Sequence, residues 1–176
     1  MNENNLYNLK NVKILDLGCG PGNRAISFAK NGNKVVAVDS DGAAIESLSS
    51  RIGNLSIIVV NQDIREFEIE PDSYDCIIAS NVLPFIKKDE IISVLEKVRR
   101  GLKKAGIAEF SLFGVDDPWA KMYADSMSFY ERNEVQLFVE GLDSFSIEEM
   151  KGEAPMMNGE LKYWHKFLIV YRKVLN

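Results

Sequence analysis

Residues 14–22 read Ile14-Leu15-Asp16-Leu17-Gly18-Cys19-Gly20-Pro21-Gly22, a pattern typical of a buried strand that runs into a glycine-rich turn. The nearly continuous apolar run from Val12 to Leu17 indicates a parallel strand covered on both faces. Asp16 alone interrupts it, and a buried carboxylate needs hydrogen-bond donors or a cationic ligand to offset its desolvation. The glycines let the backbone turn tightly and approach a bound molecule. The segment therefore predicts a cofactor site.

The glycine spacing separates two classes of cofactor-binding fold. Nicotinamide and flavin sites use the spacing G-x-G-x-x-G, whereas here the sixth position is Asn23 and the glycines alternate as G-x-G-x-G. An acid two residues before the first glycine suits the amino acid end of a sulfonium cofactor better than a pyrophosphate. The block resembles motif I of the class I S-adenosylmethionine-dependent methyltransferases. This resemblance implies S-adenosyl-L-methionine as the cofactor.

Composition narrows the class of protein further. The 176 residues are 46% apolar, which fits a single domain over residues 1–176 with a core of its own. A net charge of -5 argues against the basic surface of a nucleic-acid-binding protein. No run approaches the ~20 apolar residues of a membrane span, and Met1 to Lys10 lacks the features of a signal. We expect a cytoplasmic monomer or homodimer that acts on a small molecule, without nucleic-acid or membrane partners.

Neither the cysteines nor a pair of adjacent acids indicates a metal site. Cys19 and Cys76 have no metal-ligand spacing and form no disulfide framework, so we expect both to be small, buried residues. Asp116 and Asp117 are adjacent, but two acids do not form a metal site by themselves. We therefore expect no metal.

Strands and helices alternate along the chain. Apolar runs predict the strands, and helical spacing of apolar residues predicts the helices. Asp41 and Asp89 are expected to cap the second and third helices, and the face of the third is expected to comprise Ile92, Leu95, Val98 and Leu102. The predicted strands are 12–17, 33–39, 55–60, 74–79, 105–113, 142–150 and 160–174, and the predicted helices are 21–31, 42–52, one from Asp89 onward, and 131–140.

Polar residues follow the predicted strands at their carboxyl ends, where ligands bind in open α/β sheets. Asp39 ends the second strand about 20 residues beyond the glycines, the position that holds ribose hydroxyls in such folds, and Ser40 follows it. A helix cap is the alternative for Asp39, but Asp41 is better placed for that role. Ser80 and Asn81 follow the fourth strand at the switch point of the sheet.

The methyltransferase resemblance assigns further roles. In that family an acid just after the third strand accepts a hydrogen bond from the adenine amino group, and an apolar neighbour packs on the ring. Asp63 and Ile64 match these positions, although a turn cap before the charged stretch 65–70 is the alternative for Asp63. The cofactor-binding set that we predict is Asp16, Gly18, Cys19, Gly20, Arg24, Asp39, Ser40, Gln62, Asp63, Ile64 and Ser80.

The last third of the chain resembles the tellurite-resistance-type branch of these methyltransferases. It carries a turn at Lys151-Gly152-Glu153-Ala154-Pro155 and a strand with Tyr163-Trp164-His165. The resemblance spans nearly the whole chain and implies a three-layer, doubly wound α/β fold. Its seven-stranded, mostly parallel sheet would have the order 3-2-1-4-5-7-6, with strand seven antiparallel. That branch reads Gly-Arg-Asn after the turn, whereas this chain reads Gly22-Asn23-Arg24, so a contact between Arg24 and the cofactor carboxylate stays open.

Asn81 and His165 are the candidate catalytic residues. If the final strand is antiparallel, its beginning and the loop 151–159 lie near the transferred methyl group, where a histidine could take a proton. A histidine packed and hydrogen-bonded beside Trp164 is the alternative. The aromatic and methionine-rich segment 113–138 either covers the acceptor or packs on the sheet.

The predicted reaction is in-line transfer of a methyl group to a small molecule, driven mainly by the alignment of donor and acceptor. Two other functions stay open. One is an inactive, regulatory protein that binds S-adenosylmethionine, and the other is a nicotinamide-dependent oxidoreductase.

Overall fold

The computed structural model describes residues 3–142, 144–156 and 158–174, in which eight strands form one mixed sheet. The strands are β1 (Lys13–Leu17), β2 (Lys34–Asp39), β3 (Ile57–Asn61), β4 (Tyr74–Ala79), β5 (Leu102–Gly114), β6 (Phe129–Tyr130), β7 (Phe145–Pro155) and β8 (Leu161–Arg172). The α-helices are α1 (Asn23–Lys30), α2 (Gly42–Ser49), α3 (Lys88–Gly101), α4 (Trp119–Met122) and α5 (Arg132–Leu137), and the 3-10 helices are Glu3–Asn8 and Leu83–Phe85.

The sheet has the strand order β3-β2-β1-β4-β5-β8-β7, and the short β6 pairs with the end of β5. Strands β1 to β5 are parallel, whereas β8 runs antiparallel to β5 and β7 antiparallel to β8. This confirms the predicted order, with β7 and β8 as the predicted sixth and seventh strands. The strand β6 is an addition that the sequence did not predict.

Two hydrophobic clusters cover the two faces of the sheet and make the fold three layers thick. One face packs against α1 and α2 through residues such as Ile14, Phe28 and Leu48. The other face packs against α3 and α5 through residues such as Leu15 and Val98. Because both faces are covered, the inner strands have continuous apolar sequences instead of an alternating pattern.

The start and the buried face of α3 differ from the prediction. Asp89 is not the cap, because the helix begins at Lys88, with Lys87 at the N-cap position and no side-chain cap bond. As a first-turn acid, Asp89 instead favours the positive end of the helix dipole. The buried face contains Ile91, which is fully buried, whereas Ile92 is 56% exposed. Either of these adjacent isoleucines fits the helical spacing of apolar residues, and the packing of α3 against the sheet determines that Ile91 is the buried one.

The hairpin of β7 and β8 is longer than the sequence predicts. Lys151 to Pro155 is not a turn, since these residues continue β7 and pair with β8, from Lys151 opposite His165 to Pro155 opposite Leu161. Pairing with a long neighbouring strand satisfies the backbone groups that a turn would leave to water. Residue 143 of the predicted strand 142–150 and residue 157 of the predicted connection 151–159 lie outside the described residues.

The remaining helices agree with the sequence in place and less well in length. The helix predicted over 131–140 covers only Arg132–Leu137, and a capping box between Glu131 and Glu134 defines its start. In the described part of the chain, every helix is too short or too polar to cross a lipid bilayer.

Candidate cofactor site

The glycine turn joins β1 to α1, and its three glycines have different roles. Gly18, Gly20 and Gly22 all have positive φ angles of 52° to 77°, which other residues rarely adopt. A Cβ atom on Gly18 would overlap Val82, and one on Gly22 would overlap Leu48. A Cβ atom on Gly20 would meet nothing within 4 Å. Packing within the protein therefore requires two of the glycines, and only Gly20 faces open space.

Asp39 fixes the glycine turn from the end of β2. Its Oδ2 accepts a hydrogen bond from the backbone N–H of Gly20 at 2.7 Å, and its Oδ1 accepts one from the N–H of Asp41 at 2.9 Å. Asp41 in turn caps α2 by accepting from the N–H of Ala43 at 2.9 Å, as predicted. Each carboxylate oxygen of Asp39 keeps a lone pair for another donor. Its contact with ribose hydroxyls stays a prediction.

A cleft of about 90 Å³ lies beyond the carboxyl ends of β1, β2 and β3. It brings together predicted site residues from three separate parts of the chain. Gln62 is adjacent in sequence, and its backbone N–H donates to the carbonyl of Asp39 at 3.0 Å. The residues that line the cleft are Gly18, Asp39, Ser40, Asp63, Ile64, Arg65, Val82, Phe85 and Ile86.

Asp63 has an arginine partner that the sequence analysis treated only as part of a charged stretch. Arg65 donates to Asp63 through its guanidinium at 2.6 and 3.0 Å and through its backbone N–H at 2.8 Å. The hydrogen bonds from Arg65 lower the pKa of Asp63, although partial burial opposes this. Arg65 also pairs with Glu90 at 3.1 Å. These bonds support the turn interpretation, and the adenine contact of Asp63 stays a prediction.

A buried cluster of charges lies near the carboxyl ends of β1 and β4 and beside the middle of β5, where Asp16, Ile78 and Glu109 are in register. Asp16 and Glu109 are 3% and 1% exposed. Arg24 pairs with Glu109 at 2.6 Å and donates to the Ser80 hydroxyl, which donates to Glu109 at 3.0 Å. The sequence analysis missed Glu109, although it is the single acid in the apolar part of its strand, as Asp16 is in β1. Ser80 is thereby shown to face the same cluster as Arg24.

Three polar atoms of this cluster are buried without a hydrogen-bond partner among the described residues. They are Oδ2 of Asp16, Oε2 of Glu109 and Nε of Arg24. Burial raises the pKa of Asp16 to about 7, with Arg24 opposing the shift and the carboxylates of Glu109 and Asp39 adding to it. An amino acid ammonium group would satisfy such a carboxylate oxygen. The residues present therefore fit the amino acid end of S-adenosylmethionine, while the contacts of Arg24 stay a prediction.

The two cysteines are not reactive nucleophiles. Burial raises the pKa of Cys19 to about 12, with help from the carboxylates of Asp16 and Asp39. Cys76 is fully buried, as predicted, whereas Cys19 is only partly buried. In the part of the chain that the structure describes, no group of histidine, cysteine and acidic residues could hold a metal ion.

Asn81 follows β4 in a left-handed conformation with φ of 55°, which asparagine tolerates better than most residues. Its backbone N–H donates to the hydroxyl of Ser111 on β5 at 2.7 Å. The sequence analysis did not single out Ser111, which lies two residues beyond Glu109 and thus on the same face of the strand. A catalytic role of Asn81 stays a prediction.

His165 lies at the carboxyl edge of the sheet, as the antiparallel topology predicts, but both ring nitrogens have partners within the protein. Nδ1 accepts from the backbone N–H of Asp116 at 3.1 Å, so Nε2 carries the proton and lies 3.1 Å from Oε1 of Glu149. The ring is buried against Gly114 and Phe167. These contacts favour the packed interpretation over proton transfer, and the catalytic role of His165 stays a prediction.

The neighbouring residues of β8 build an aromatic and lysine cluster on the opposite face of that strand, defined by Phe113, Trp119, Lys162, Trp164 and Lys166. The amino group of Lys162 is 2.5 Å from the buried carboxylate of Asp117 and 3.8 Å from the centre of the Trp164 ring. The amino group of Lys166 is 3.6 Å from the same ring. Part of the segment 113–138 therefore packs on β8.

The fold and the site together define the class of protein. A doubly wound sheet in this order, a glycine turn after its first strand and acids at the ends of neighbouring strands are features of class I S-adenosylmethionine-dependent methyltransferases. A family model described as a methyltransferase domain matches residues 14–106, which is more than half of the chain. The chain belongs to this family.

Comparisons with individual proteins agree with the family. Carboxy-S-adenosyl-L-methionine synthase of Vibrio parahaemolyticus is 31% identical over 102 residues, which is 53% of this chain and 41% of that protein. The chain thus spans about two fifths of the length of that curated relative.

Solved structures show the same fold at lower sequence identity. TehB from Haemophilus influenzae superposes with a TM-score of 0.77 at 22% identity, over 92% of this chain and 57% of that one. A 1,6-didemethyltoxoflavin-N1-methyltransferase from Burkholderia thailandensis, solved with bound 1,6-didemethyltoxoflavin and S-adenosylhomocysteine, gives 0.69 at 18% identity, over 94% and 72%.

Alanine at Gly18 and at Gly20 should separate packing from cofactor binding. Both substitutions place a side chain in the left-handed region, which costs about 1–2 kcal/mol of folding free energy. Gly18→Ala should cost about 1–3 kcal/mol more, because its Cβ overlaps Val82. Gly20→Ala should stay folded and lose at least tenfold in affinity for S-adenosylhomocysteine. Urea denaturation and calorimetric titration measure the two effects, and normal affinity of Gly20→Ala would remove this open space from the cofactor site.

The raised pKa of Asp16 predicts how stability depends on pH without cofactor. Between pH 3.8 and about 7 the folded protein keeps a proton that the unfolded chain releases. The free energy of unfolding contributed by Asp16 is therefore full below pH 3.8 and is lost as pH rises toward 7, by about 1.4 kcal/mol per pH unit at most. Asp16→Asn should be more stable than the wild type at pH 8 and equal to it at pH 4, as measured by urea denaturation.

Asp75 provides a control of opposite sign for the Asp16 experiment. Burial would raise the pKa of Asp75, but hydrogen bonds from Lys103 and from the backbone N–H of Lys13 lower it overall. Asp75→Asn should therefore lose stability at pH 8 and little at pH 3. The same pH dependence in both variants would show that Asp16 is not protonated in the folded protein.

Proposed function

We propose that the protein transfers a methyl group from S-adenosylmethionine to a small-molecule acceptor by in-line displacement. The observation that carries this proposal is the unpartnered, buried carboxylate oxygen of Asp16, close in the chain to the open side of Gly20. A cationic amino acid end of a cofactor would meet both features, because it needs a counter-charge and a backbone without Cβ atoms. The family to which the chain belongs uses this cofactor.

Different residues of the chain would bind different parts of the cofactor. Asp16 would hold the ammonium group, Asp39 the ribose hydroxyls, and Asp63 with Ile64 the adenine ring. When bound, S-adenosylmethionine supplies a methyl group on a positively charged sulfur that leaves readily. The task of the protein is then to align donor and acceptor and to exclude water, which is the proximity contribution to catalysis.

The aromatic and lysine cluster bounds the side on which an acceptor would enter. Phe113 lies on the same face of β5 as Glu109, by strand alternation, and so the cluster continues the face that carries the buried charges. Lys166 is half-buried, its pKa is lowered by burial and by Lys162, and it has no carboxylate at ion-pair distance among the described residues. Aromatic walls and a cation support a small acceptor that is planar or anionic.

The comparisons and the composition support a small acceptor as well. The Burkholderia enzyme was solved with a small molecule bound beside the cofactor product. The net charge of -5 disfavours a long, polyanionic substrate, because such substrates need an extended basic surface. Both ring nitrogens of His165 bond to groups of the protein, so neither is available to take a proton from an acceptor. This supports catalysis by alignment, in which no general base is required.

Cofactor choice is the first test of this function. S-adenosylhomocysteine should bind with a dissociation constant in the micromolar range, about -8 kcal/mol, and NAD should show no binding. Asp39→Ala should weaken that binding by about 1–3 kcal/mol, the cost of losing hydrogen bonds to a charged group. Asp41→Ala is the matched control, because it removes the cap of α2 and leaves the cofactor contacts in place. Calorimetric titration measures these affinities. Tight binding of NAD without any binding of S-adenosylhomocysteine would refute the function.

Replacement of His165 tests whether the protein uses a general base. His165→Gln should change the rate of methyl transfer less than about tenfold, because both ring nitrogens already bond to the protein. General acid–base help would be worth about 10²–10⁴. The assay is release of S-adenosylhomocysteine from S-adenosylmethionine with a panel of small acceptors, at pH 6 to 9. A hundredfold loss at unchanged cofactor affinity would make His165 a catalytic residue.

A further inference from the structure

Lys166 on β8 is a half-buried lysine with apolar surroundings. Its amino group lies 3.6 Å from the centre of the Trp164 ring and 5.6 Å from that of the Phe113 ring. Residues two apart on a strand share a face, and so do residues directly opposite on neighbouring antiparallel strands. The four positions around Lys166 on its face of the sheet are therefore all apolar, namely Trp164, Leu168, Phe113 and Met150.

The amino group of Lys166 has neither a hydrogen-bond acceptor nor an ion-pair partner among the described residues. By contrast, Lys162 on the same face lies 2.5 Å from the buried carboxylate of Asp117. Burial lowers the pKa of Lys166, and the charge of Lys162 adds to this shift while Asp117 opposes it. Burying an ammonium group without a counter-ion costs stability. The protein thus provides an acid for one lysine of this face and none for the other.

Strand pairing places Lys166 beyond the carboxyl end of β4, the edge of the sheet at which the cofactor would bind. Ala79, the last residue of β4, pairs with Phe110 on β5, and Lys166 pairs with Phe113 three residues further along β5. With about 3.3 Å per residue and about 4.8 Å between strands, the backbones of Ala79 and Lys166 are roughly 14 Å apart. The lysine side chain covers part of this distance, and a small molecule with one ring would cover the remainder.

We propose that Lys166 determines the specificity for the methyl acceptor by binding the acid group of a small aromatic carboxylate. This inference rests on the function proposed above. The ammonium group would pair with the carboxylate, the ring would contact Phe113 and Met150, and the opposite end of the acceptor would face the end of β4. Apolar surroundings strengthen such a charge-assisted bond, because little water screens it. They also favour an organic acid over an inorganic anion, which would leave the apolar neighbours without a contact.

Benzoate and benzamide test this specificity, because they share a ring and differ in charge. Each is titrated by NMR into the full chain saturated with S-adenosylhomocysteine. Benzoate should bind at least tenfold more tightly than benzamide and inorganic phosphate, as expected for a charge-assisted bond combined with an apolar contact. Nuclear Overhauser effects between the benzoate ring and the homocysteine protons of the bound product should show that the two ligands are adjacent. Equal affinities for benzoate and either of the other two, or no such effects, would overturn the proposal.

Replacement of Lys166 by methionine removes the charge and keeps a long, flexible side chain. Lys166→Met should weaken benzoate binding at least tenfold, and it should change the affinities for benzamide and S-adenosylhomocysteine less than twofold. Lys121→Met is the matched control, because Lys121 is exposed on α4, two residues after Trp119 of the aromatic and lysine cluster. The control should change all three affinities less than twofold. Equal losses of benzoate binding in the two variants would reflect net charge alone and would overturn the proposal.

The melting temperature of the ligand-free protein tests whether Lys166 lacks a counter-ion. Lys166→Met should raise it by about 2–4 °C, because the variant removes a half-buried charge that Lys162 repels. A lower melting temperature would reveal a stabilising partner of the ammonium group and would overturn the proposal. Affinity for S-adenosylhomocysteine, measured first, tests the proposed function separately. A lack of binding refutes that function, whereas binding without a preference for benzoate refutes only the role of Lys166.

Discussion

The ion pair between Arg24 and Glu109 is the contact on which the carboxyl edge of this sheet depends. It joins the first turn of α1 to β5, and Ser80 at the end of β4 bonds to both partners. Asp16 lies in the same buried region, close enough for the charge of Arg24 to oppose the rise of its pKa. Removing one partner of a buried pair leaves an uncompensated charge, which is strongly destabilising. The cluster therefore helps to position α1 against the sheet, and it combines two carboxyl groups with a single guanidinium.

This imbalance connects the fold to the function. A cofactor with a cationic amino acid end would complete the cluster, and a ligand that binds only the folded state also stabilises that state. Asp39 also has both a structural and a binding role. Its carboxylate bonds the backbone of the glycine turn and of Asp41, and it still has lone pairs for a ligand. Residues that hold the cofactor site in shape and residues that would bind the cofactor are thus largely the same.

The alternation of side chains along the hairpin of β7 and β8 places different groups on its two faces. On one face, His165 bonds to Glu149 and to the backbone of Asp116, so it ties together β7, β8 and the segment after β5. On the opposite face, Trp164 and Lys166 extend the surface that carries Glu109. A one-residue shift in register would exchange the two faces, which makes the long pairing of this hairpin important for the site.

By itself, the sequence determined the first five strands, the glycine turn and the acids at the strand ends, because apolar periodicity and glycine spacing are local signals, and its resemblance to class I methyltransferases implied the fold and the order of the sheet. It did not reveal that Arg65 bonds Asp63, that Glu109 pairs with Arg24, or that β7 continues through Lys151 to Pro155. Arg24 and Glu109 are 85 residues apart, and such a pair has no local signature. Tertiary structure also decided that Ile91 is buried and that His165 is held by two partners. Only the packed sheet brings these groups together, since each depends on which strand or helix lies alongside.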